Sequence, residues 1–140
     1  MASERPYSGL IGRIKDAGLR PTRQRLALAK LLFERGNRHM TAEQLHVEAL
    51  DANVRVSLAT VYNTLHQFTA TGLLREVVVE PGRSYFDTNA EDHHHFYHEA
   101  GGRLEDIPDG EVRLTDLPKP PKGTRVERVD VIIRLMDKGK

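Results

Sequence analysis

The 140-residue chain is predicted to have an α+β fold, because its apolar residues follow a helical period up to about residue 72 and a strand period beyond it. A run of three histidines lies in the β-rich part, and the chain has no cysteine. These observations predict two domains, one over residues 1–88 and a smaller one over residues 89–140.

Helix boundaries in the first domain are predicted from capping residues and glycines. The first helix should end at Gly18, and Thr22 should cap the second, which stops at Gly36. Thr41 is predicted to begin the third helix as a capping box, and Ser57 to cap the fourth. The apolar stripe of the fourth helix is predicted to contain Leu58, Val61, Leu65 and Phe68.

Beyond Gly72 the sequence predicts strands. Residues 74–79 and 84–87 flank a Pro81-Gly82 turn and should form a β-hairpin. Three or four helices followed by a hairpin are typical of a winged helix-turn-helix domain.

The second domain is predicted to be a small sheet. Residues 93–99 and 103–107 should form a hairpin across two glycines, and residues 126–136 the last strand, after a proline-rich loop at 118–123. A sheet of about three strands is rarely stable alone, so we expect a homodimer in which a second copy covers its apolar face.

The net charge of +1 conceals an uneven distribution. Residues 1–75 contain 11 Lys and Arg against 6 Asp and Glu, a balance of +5, whereas residues 76–118 contain 3 against 11, a balance of −8. The pattern suggests one region for a polyanion and another for cations, with an ordinary solvated surface as the alternative.

The histidine run predicts a metal site. In an extended segment His93 and His95 point to one face while His94 points to the other. Asp87 and Asp106 lie on either side of the run and can supply carboxylates. Nitrogen and oxygen ligands without thiolates suit Fe(II), Mn(II) or Zn(II).

The fourth helix is predicted to read DNA, because the side chains opposite its apolar stripe are small, polar or aromatic and mostly uncharged, with no acid among them. This face contains Ser57, Ala59, Thr60, Tyr62, Asn63, His66 and Gln67. Either Asn63 or Gln67 could pair with adenine. Basic residues around the helix are predicted to contact the DNA backbone or minor groove, namely Arg13, Lys15, Arg20, Arg23, Arg25 and Arg55. The alternative is the polar face of an ordinary helical bundle.

Four motifs occur in order: LRPTRQR at 19–25, HMTAEQL at 39–45, SLATVYNTL at 57–65 and HHH at 93–95. In this combination the chain resembles the Fur (ferric uptake regulator) superfamily over roughly residues 10–107. Within it, the chain is similar to the iron-response regulator (Irr) branch, which lacks the usual cysteines.

The resemblance implies a winged-helix DNA-binding domain followed by a small α/β dimerisation and sensing domain, in a homodimer that binds operator DNA. It also implies a regulatory metal site at the hinge, whose ligands by position are His39, Asp87, His93, His95 and Asp106. We therefore expect a metal- or haem-responsive regulator, acting as a repressor of iron or haem homeostasis genes.

Departures from the family pattern sharpen these expectations. No structural zinc held by four cysteines can form, and His98 stands in the region of the first missing cysteine pair. Asn63 replaces an arginine found in many relatives, which implies a different operator preference. The proline loop replaces the helix that commonly stiffens the dimer. A further family site would use His94, but Arg128 occupies the place of its later histidine.

Haem is the second ligand that the resemblance to this branch implies, with His93, His94 and His95 as candidate ligands. Taken singly, His39 could instead be a surface residue, and His98 could simply fill space.

A small metallohydrolase or a metal-buffering protein would also need such ligands, but the chain has no His-Glu-x-x-His motif, so we expect no enzyme. The absence of an apolar run of about 20 residues and of an apolar N-terminal signal core predicts a cytoplasmic protein without a membrane partner.

Overall fold

A computed structural model of the protein describes residues 8–139 and, for Ser8, the backbone alone. The chain divides between Ala90 and Glu91 into two compact units, called here the first and second unit. The elements of the first unit are α1 (Ser8–Asp16), α2 (Arg23–Phe33), β1 (His39–Met40), α3 (Ala42–Asp51), α4 (Leu58–Ala70), β2 (Arg75–Glu80) and β3 (Arg83–Asp87). Those of the second unit are β4 (His95–His98), β5 (Arg103–Asp106) and β6 (Ile132–Leu135).

The helices begin where the capping residues predict. Thr22 accepts a hydrogen bond from the Arg25 backbone N–H, and Ser57 accepts one from that of Thr60. Thr41 forms a reciprocal capping box with Gln44, which satisfies two backbone N–H groups at the start of α3. After α4 the chain turns at Gly72, whose φ of +83° is readily adopted only by glycine.

One apolar core holds the first unit together. It is formed by the inward faces of all four helices and by residues of the hairpin, including Leu28, Leu45, Leu65, Phe68 and Phe86, each at most 1% exposed. Val61, Leu65 and Phe68 of the predicted stripe are buried, whereas Leu58 is half-buried and Thr64 takes the remaining inward position.

β2 and β3 form the predicted hairpin, and β1 adds to it as a short antiparallel strand, in the order β1-β3-β2. Four helices and this three-stranded sheet constitute a winged-helix fold, so the predicted α+β class is confirmed. None of the helices in the described part of the chain has the length and apolar character needed to cross a bilayer.

The second unit is a three-stranded sheet of order β5-β4-β6, in which β4 is antiparallel to β5 and parallel to β6. The hairpin across the two glycines is confirmed, although both of its strands are shorter than predicted. Residues 91–139 contain no helix, so the helical component that the resemblance implied for this domain is absent from its described part.

The prediction of a last strand over residues 126–136 is wrong for most of its length. Only Ile132–Leu135 forms β6, because β4 offers four partners and β6 has no other neighbouring strand among the described residues. Residues 113–128 are all exposed.

Candidate metal centre and DNA-binding face

Two of the predicted metal ligands lie side by side in the first unit. His39 of β1 and Asp87 of β3 are directly opposite each other in the antiparallel pair, so their side chains share one face of the sheet. Asp87 is 1% exposed, and its Oδ1 accepts the Asn89 backbone N–H at 2.9 Å. On its other side Asp87 is opposite Arg75, which is also buried.

Arg38, the residue before His39, anchors the start of β1. The guanidinium of Arg38 forms a two-bond ion pair with Glu48 of α3 and donates to the Leu31 carbonyl of α2. The Arg38 backbone N–H donates to Thr88 Oγ1 at 2.8 Å. Two helices and the end of the hairpin thereby position His39.

The other three predicted ligands meet in the second unit. His95 is directly opposite Asp106 in the β4–β5 pair, and His93 precedes His95 by two residues. The Nε2 atoms of His93 and His95 lie 3.2 and 3.3 Å from the same oxygen, Oδ1 of Asp106. The two imidazole rings are buried with centroids 4.3 Å apart, whereas the carboxylate is half-exposed.

A main-chain contact sets the tautomer of His93. Its Nδ1 lies 2.7 Å from the Glu91 carbonyl oxygen, which can only accept, so Nδ1 carries a proton. In the neutral ring Nε2 then presents a lone pair to the Asp106 oxygen. Two lone pairs at 3.2 Å repel unless a cation lies between them, either a proton on the ring or a metal ion.

This donor set fits a divalent transition metal. The available ligand atoms of His93, His95 and Asp106 lie within 4.8 Å of one another, a spacing at which one ion can bind all three. Two imidazoles and a carboxylate suit Fe(II), Mn(II) and Zn(II), and the orientation of His93 by a main-chain carbonyl is the usual support for such a ligand.

The remaining histidines have other partners. His46 Nε2 lies 3.1 Å from the Val56 carbonyl and donates to it, which ties α3 to the segment before α4. His94 Nδ1 accepts the Val131 backbone N–H at 3.1 Å. His98 contacts Glu105 at 3.0 Å, and this contact, with a second from Arg103, keeps the pKa of Glu105 below its usual range.

The DNA-facing residues of α4 are mostly accessible. Ser57, Ala59, Tyr62, Asn63, His66 and Gln67 are exposed, and Thr60 is half-exposed. The Ser57 hydroxyl also donates to Thr60 Oγ1 at 3.0 Å. Of the predicted basic contacts, Arg13, Lys15, Arg20, Arg23 and Arg55 are exposed, and Arg25 is half-exposed. The Arg13 guanidinium lies over the Phe33 ring, 4.1 Å from its centroid.

A carboxylate beside this face was missed by the sequence analysis. The Tyr62 hydroxyl donates to Glu43 Oε1 of α3 at 2.6 Å. This hydrogen bond stabilises the protonated phenol and the ionised carboxylate. It therefore raises the pKa of Tyr62 and lowers the pKa of Glu43. Nothing in the local sequence signals the pair, because its partners come from different helices.

Arg25 is also tied to α4. Its Nε and Nη2 both donate to Gln67 Oε1, at 3.2 and 2.9 Å, and its Nη1 donates to the Arg20 carbonyl at 2.8 Å. Arg25, Asn63 and Gln67 line a cleft of about 250 Å³ between the start of α2 and α4.

A winged-helix unit followed by a sheet unit with a cluster of histidine and aspartate ligands defines a class of winged-helix proteins with a candidate metal centre. The chain belongs to the Ferric uptake regulator family, which it matches over residues 16–133. Members of this family are metal-responsive transcriptional regulators.

The chain is 37% identical over 97 residues to the Ferric uptake regulation protein of Legionella pneumophila. The matched region covers 69% of this chain and 71% of that protein. It is 37% identical over 81 residues to the Escherichia coli K12 protein, of which it spans only 55%. The structure is similar to that of the ferric uptake regulator from Pseudomonas aeruginosa with manganese. That similarity has a TM-score of 0.69, 26% identity, and coverage of 91% of this chain and 97% of that one.

Proposed function

We propose that the protein is a metal-responsive transcriptional regulator that binds operator DNA as a homodimer. The observation that carries the proposal is the convergence of His93 and His95 Nε2 on a single Asp106 oxygen, in a chain whose other unit is a winged helix. The alternative hypothesis of a metallohydrolase gains no support, because the family to which the chain belongs consists of regulators.

The ligand set of the regulatory ion comprises residues of both units in this proposal. His39 and Asp87 are supplied by the first unit, and His93, His95 and Asp106 by the second. A bound divalent ion supplies the positive charge that the imidazole lone pairs and the carboxylates require. Because ligands from two units must satisfy one ion together, occupancy restricts their relative orientation, and metal and DNA affinities become coupled.

DNA recognition is assigned to the exposed face of α4 and the cations around it. We propose direct contacts from Ser57, Ala59, Thr60, Tyr62 and Asn63, and backbone contacts from Arg13, Lys15, Arg20 and Arg25. The last group is basic, so operator affinity should fall steeply with salt as phosphate neutralisation releases counterions.

Dimerisation is assigned to the second unit, where exposed apolar side chains are concentrated. Leu114, Leu117, Val126, Ile133 and Met136 are between 39% and 85% exposed in the single chain. A second copy that covers these residues would remove their apolar surface from water. Sedimentation equilibrium of the full chain would show a monomer if this assignment were wrong.

The central test measures operator affinity with and without Mn(II). We expect binding of a duplex recovered from a randomised pool to weaken at least about 10-fold when EDTA removes the metal, within the range of ordinary coupling energies. His93→Ala should abolish this metal dependence. His98→Ala is the matched control, because His98 lies on β4 and its side chain alternates to the face opposite that of the ligand His95. If the unmodified protein bound the duplex equally well with and without metal, the hypothesis of a metal-responsive regulator would be refuted.

At a finer level we propose that the chain is a repressor of iron or haem homeostasis genes in the iron-response branch. The haem hypothesis must account for His94. Its Nδ1 accepts the Val131 N–H, so the neutral ring carries its proton on Nε2, and ligation through Nε2 requires loss of that hydrogen bond. Haem bound at His94 should therefore break the contact between His94 and Val131, which precede β4 and β6. We propose that haem bound at His93, His94 or His95 weakens operator binding.

A haem titration followed by absorbance and by operator affinity tests this hypothesis. We expect a Soret shift that His94→Ala reduces and His98→Ala preserves. If the full chain gave no Soret shift, or if haem left operator affinity unchanged, the haem branch of the proposal would be abandoned, whereas metal regulation would stand.

A further inference from the structure

We propose that Gln67 contacts operator DNA only as a hydrogen-bond donor, because Arg25 holds its amide oxygen. This inference rests on the proposed DNA-binding function and deepens it. The chemistry recognised is an acceptor of the operator, either a base acceptor such as guanine O6 or N7 or thymine O4, or a phosphate oxygen.

The orientation of the amide follows from the chemistry of its partner. A guanidinium has five N–H donors and no acceptor, so the group of Gln67 that faces Arg25 must be the carbonyl oxygen and not the amide nitrogen. Nε and Nη2 of Arg25 donate to that oxygen at 3.2 and 2.9 Å, which occupies both of its lone pairs.

The same geometry leaves the amide nitrogen available. Gln67 is exposed, and its amide nitrogen donates to none of the residues that the structure describes. Both of its N–H groups are therefore presented to the solvent at the cleft lined by Asn63 and Gln67.

Arg25 is itself held in place. Its Nη1 donates to the Arg20 carbonyl at 2.8 Å, so three of its five N–H groups are engaged within the protein. The remaining two can still reach a phosphate, so that backbone contact and orientation of Gln67 are compatible in a single side chain.

As a consequence, Asn63 and Gln67 are expected to recognise different groups of the operator. A glutamine recognises adenine by accepting from N6 and donating to N7, which needs both ends of the amide. Gln67 has only its donating end free, whereas Asn63, one turn earlier, makes no side-chain hydrogen bond to the described residues and keeps both. Adenine recognition is thus assigned to Asn63 and acceptor recognition to Gln67.

The first experiment compares variants of the full chain, loaded with Mn(II), on a duplex recovered from a randomised pool with the unmodified protein. Gln67→Glu keeps an acceptor for Arg25 but replaces the outward donors with an acceptor. We expect roughly 5- to 100-fold weaker binding, the range for loss of a specific contact. Gln67→Met, which has neither donor nor acceptor, should lose less. Gln44→Glu is the charge control, because its capping box accepts Glu as well as Gln, and it should change affinity less than about 3-fold.

The second experiment identifies the acceptor by double-mutant cycles. Single operator acceptors are removed by 7-deazapurines, by a pyrimidine without O4, or by a neutral methylphosphonate, and each duplex is measured with unmodified protein and with Gln67→Met. Coupling above about 5-fold at a base identifies base reading, and the same coupling at a methylphosphonate identifies a phosphate.

Two results would overturn the inference. One is equal affinity of Gln67→Met and the unmodified protein for every duplex, with circular dichroism showing that both are folded. The other is coupling above about 5-fold between Gln67→Met and removal of an adenine N6 amino group, because only the amide oxygen can accept from that group. Failure of the unmodified protein to select any duplex would instead refute the proposed function.

Discussion

The two units are stabilised in different ways. The first unit encloses a continuous apolar core between four helices and a hairpin. In the described part of the second unit the buried apolar side chains are Tyr97, Leu104 and Ile107, and the imidazoles of His93 and His95 are also buried. Most of the buried apolar side chains of the described residues belong to the first unit. Because burial of apolar surface is the main favourable term in folding, the first unit gains most of this stabilisation. The described part of the second unit therefore has less apolar burial to stabilise it, which agrees with the proposal that metal binding and dimerisation add to its stability.

Core truncation should produce the largest effect. Phe68 is 0% exposed in the core of the first unit and packs against Phe33 with ring centroids 6.3 Å apart. We expect Phe68→Ala to lower the free energy of unfolding by about 3–5 kcal/mol. The control Val78→Ala, at a position 56% exposed on β2, should cost less than about 0.5 kcal/mol. Urea denaturation followed by far-ultraviolet circular dichroism measures both, and equal effects would contradict this placement of the core.

Metal binding should stabilise the second unit more than the helices of the first. At a Mn(II) concentration 100 times the dissociation constant, linkage allows up to about 2.7 kcal/mol of stabilisation. We expect amides of β4 and β5 to gain most of the added protection in hydrogen exchange, and those of α2 to gain least. His95→Ala should remove the gain and His98→Ala should retain it. Uniform protection along the chain would show that metal does not act through this cluster.

Removal of a cap tests the local stability of the first unit. Thr41→Ala deletes the side chain that accepts the Gln44 N–H in the capping box of α3. The expected cost is about 1 kcal/mol, whereas Thr41→Ser retains the hydroxyl and should cost much less. Thermal unfolding of the two variants under identical metal and protein concentrations provides the comparison. An equal loss in both would assign the effect to the methyl group instead.

The smallest expected effect concerns the pair between α3 and α4. The hydrogen bond from Tyr62 to Glu43 raises the pKa of the tyrosine, so Glu43→Gln should move that pKa back towards its ordinary value. Ultraviolet titration of the phenolate, with Tyr62→Phe to identify its contribution, measures the shift. No shift would mean that the two side chains are separated in solution.

The signs of the linked stability effects follow from the two pKa directions. The pKa of Glu43 is lowered in the folded state, so its contribution is present at neutral pH and is lost as pH falls through the folded pKa. The pKa of Tyr62 is raised, so its contribution is lost only as pH rises through the folded pKa. Both contributions are small, because both side chains are exposed and solvent screens the pair.

Local signals account for what was predicted well. Thr22, Thr41 and Ser57 each accept a backbone N–H three residues away, and Gly72 adopts a conformation that its own backbone permits. The facing of His93 and His95 follows from strand alternation alone. The shared use of one Asp106 oxygen does not, because it depends on the register between two strands.

Pairing between distant segments accounts for what was missed. Residues 126–130 have a pattern suited to a strand but belong to no strand in the described part of the chain, whereas the Val131 carbonyl accepts the His95 backbone N–H of β4. The apolar alternation predicted a strand over 126–136, but a strand forms only where β4 is available to pair with it. Glu43 and Tyr62 are 19 residues apart, and Arg25 and Gln67 are 42 apart. Neither contact is indicated by a sequence pattern near the residues that form it.

The amino-acid sequence by itself determined the helices, the hairpin and the kinds of atom available to a metal, because these depend on short-range periodicity, capping and side-chain chemistry. Only the tertiary structure decided which acceptor each donor reaches, and hence that Arg25 occupies the oxygen of Gln67 and that two imidazoles meet one carboxylate oxygen. The physical reason is that a hydrogen bond depends on distance and direction in space, and segments far apart in the chain acquire these only when the core brings them together.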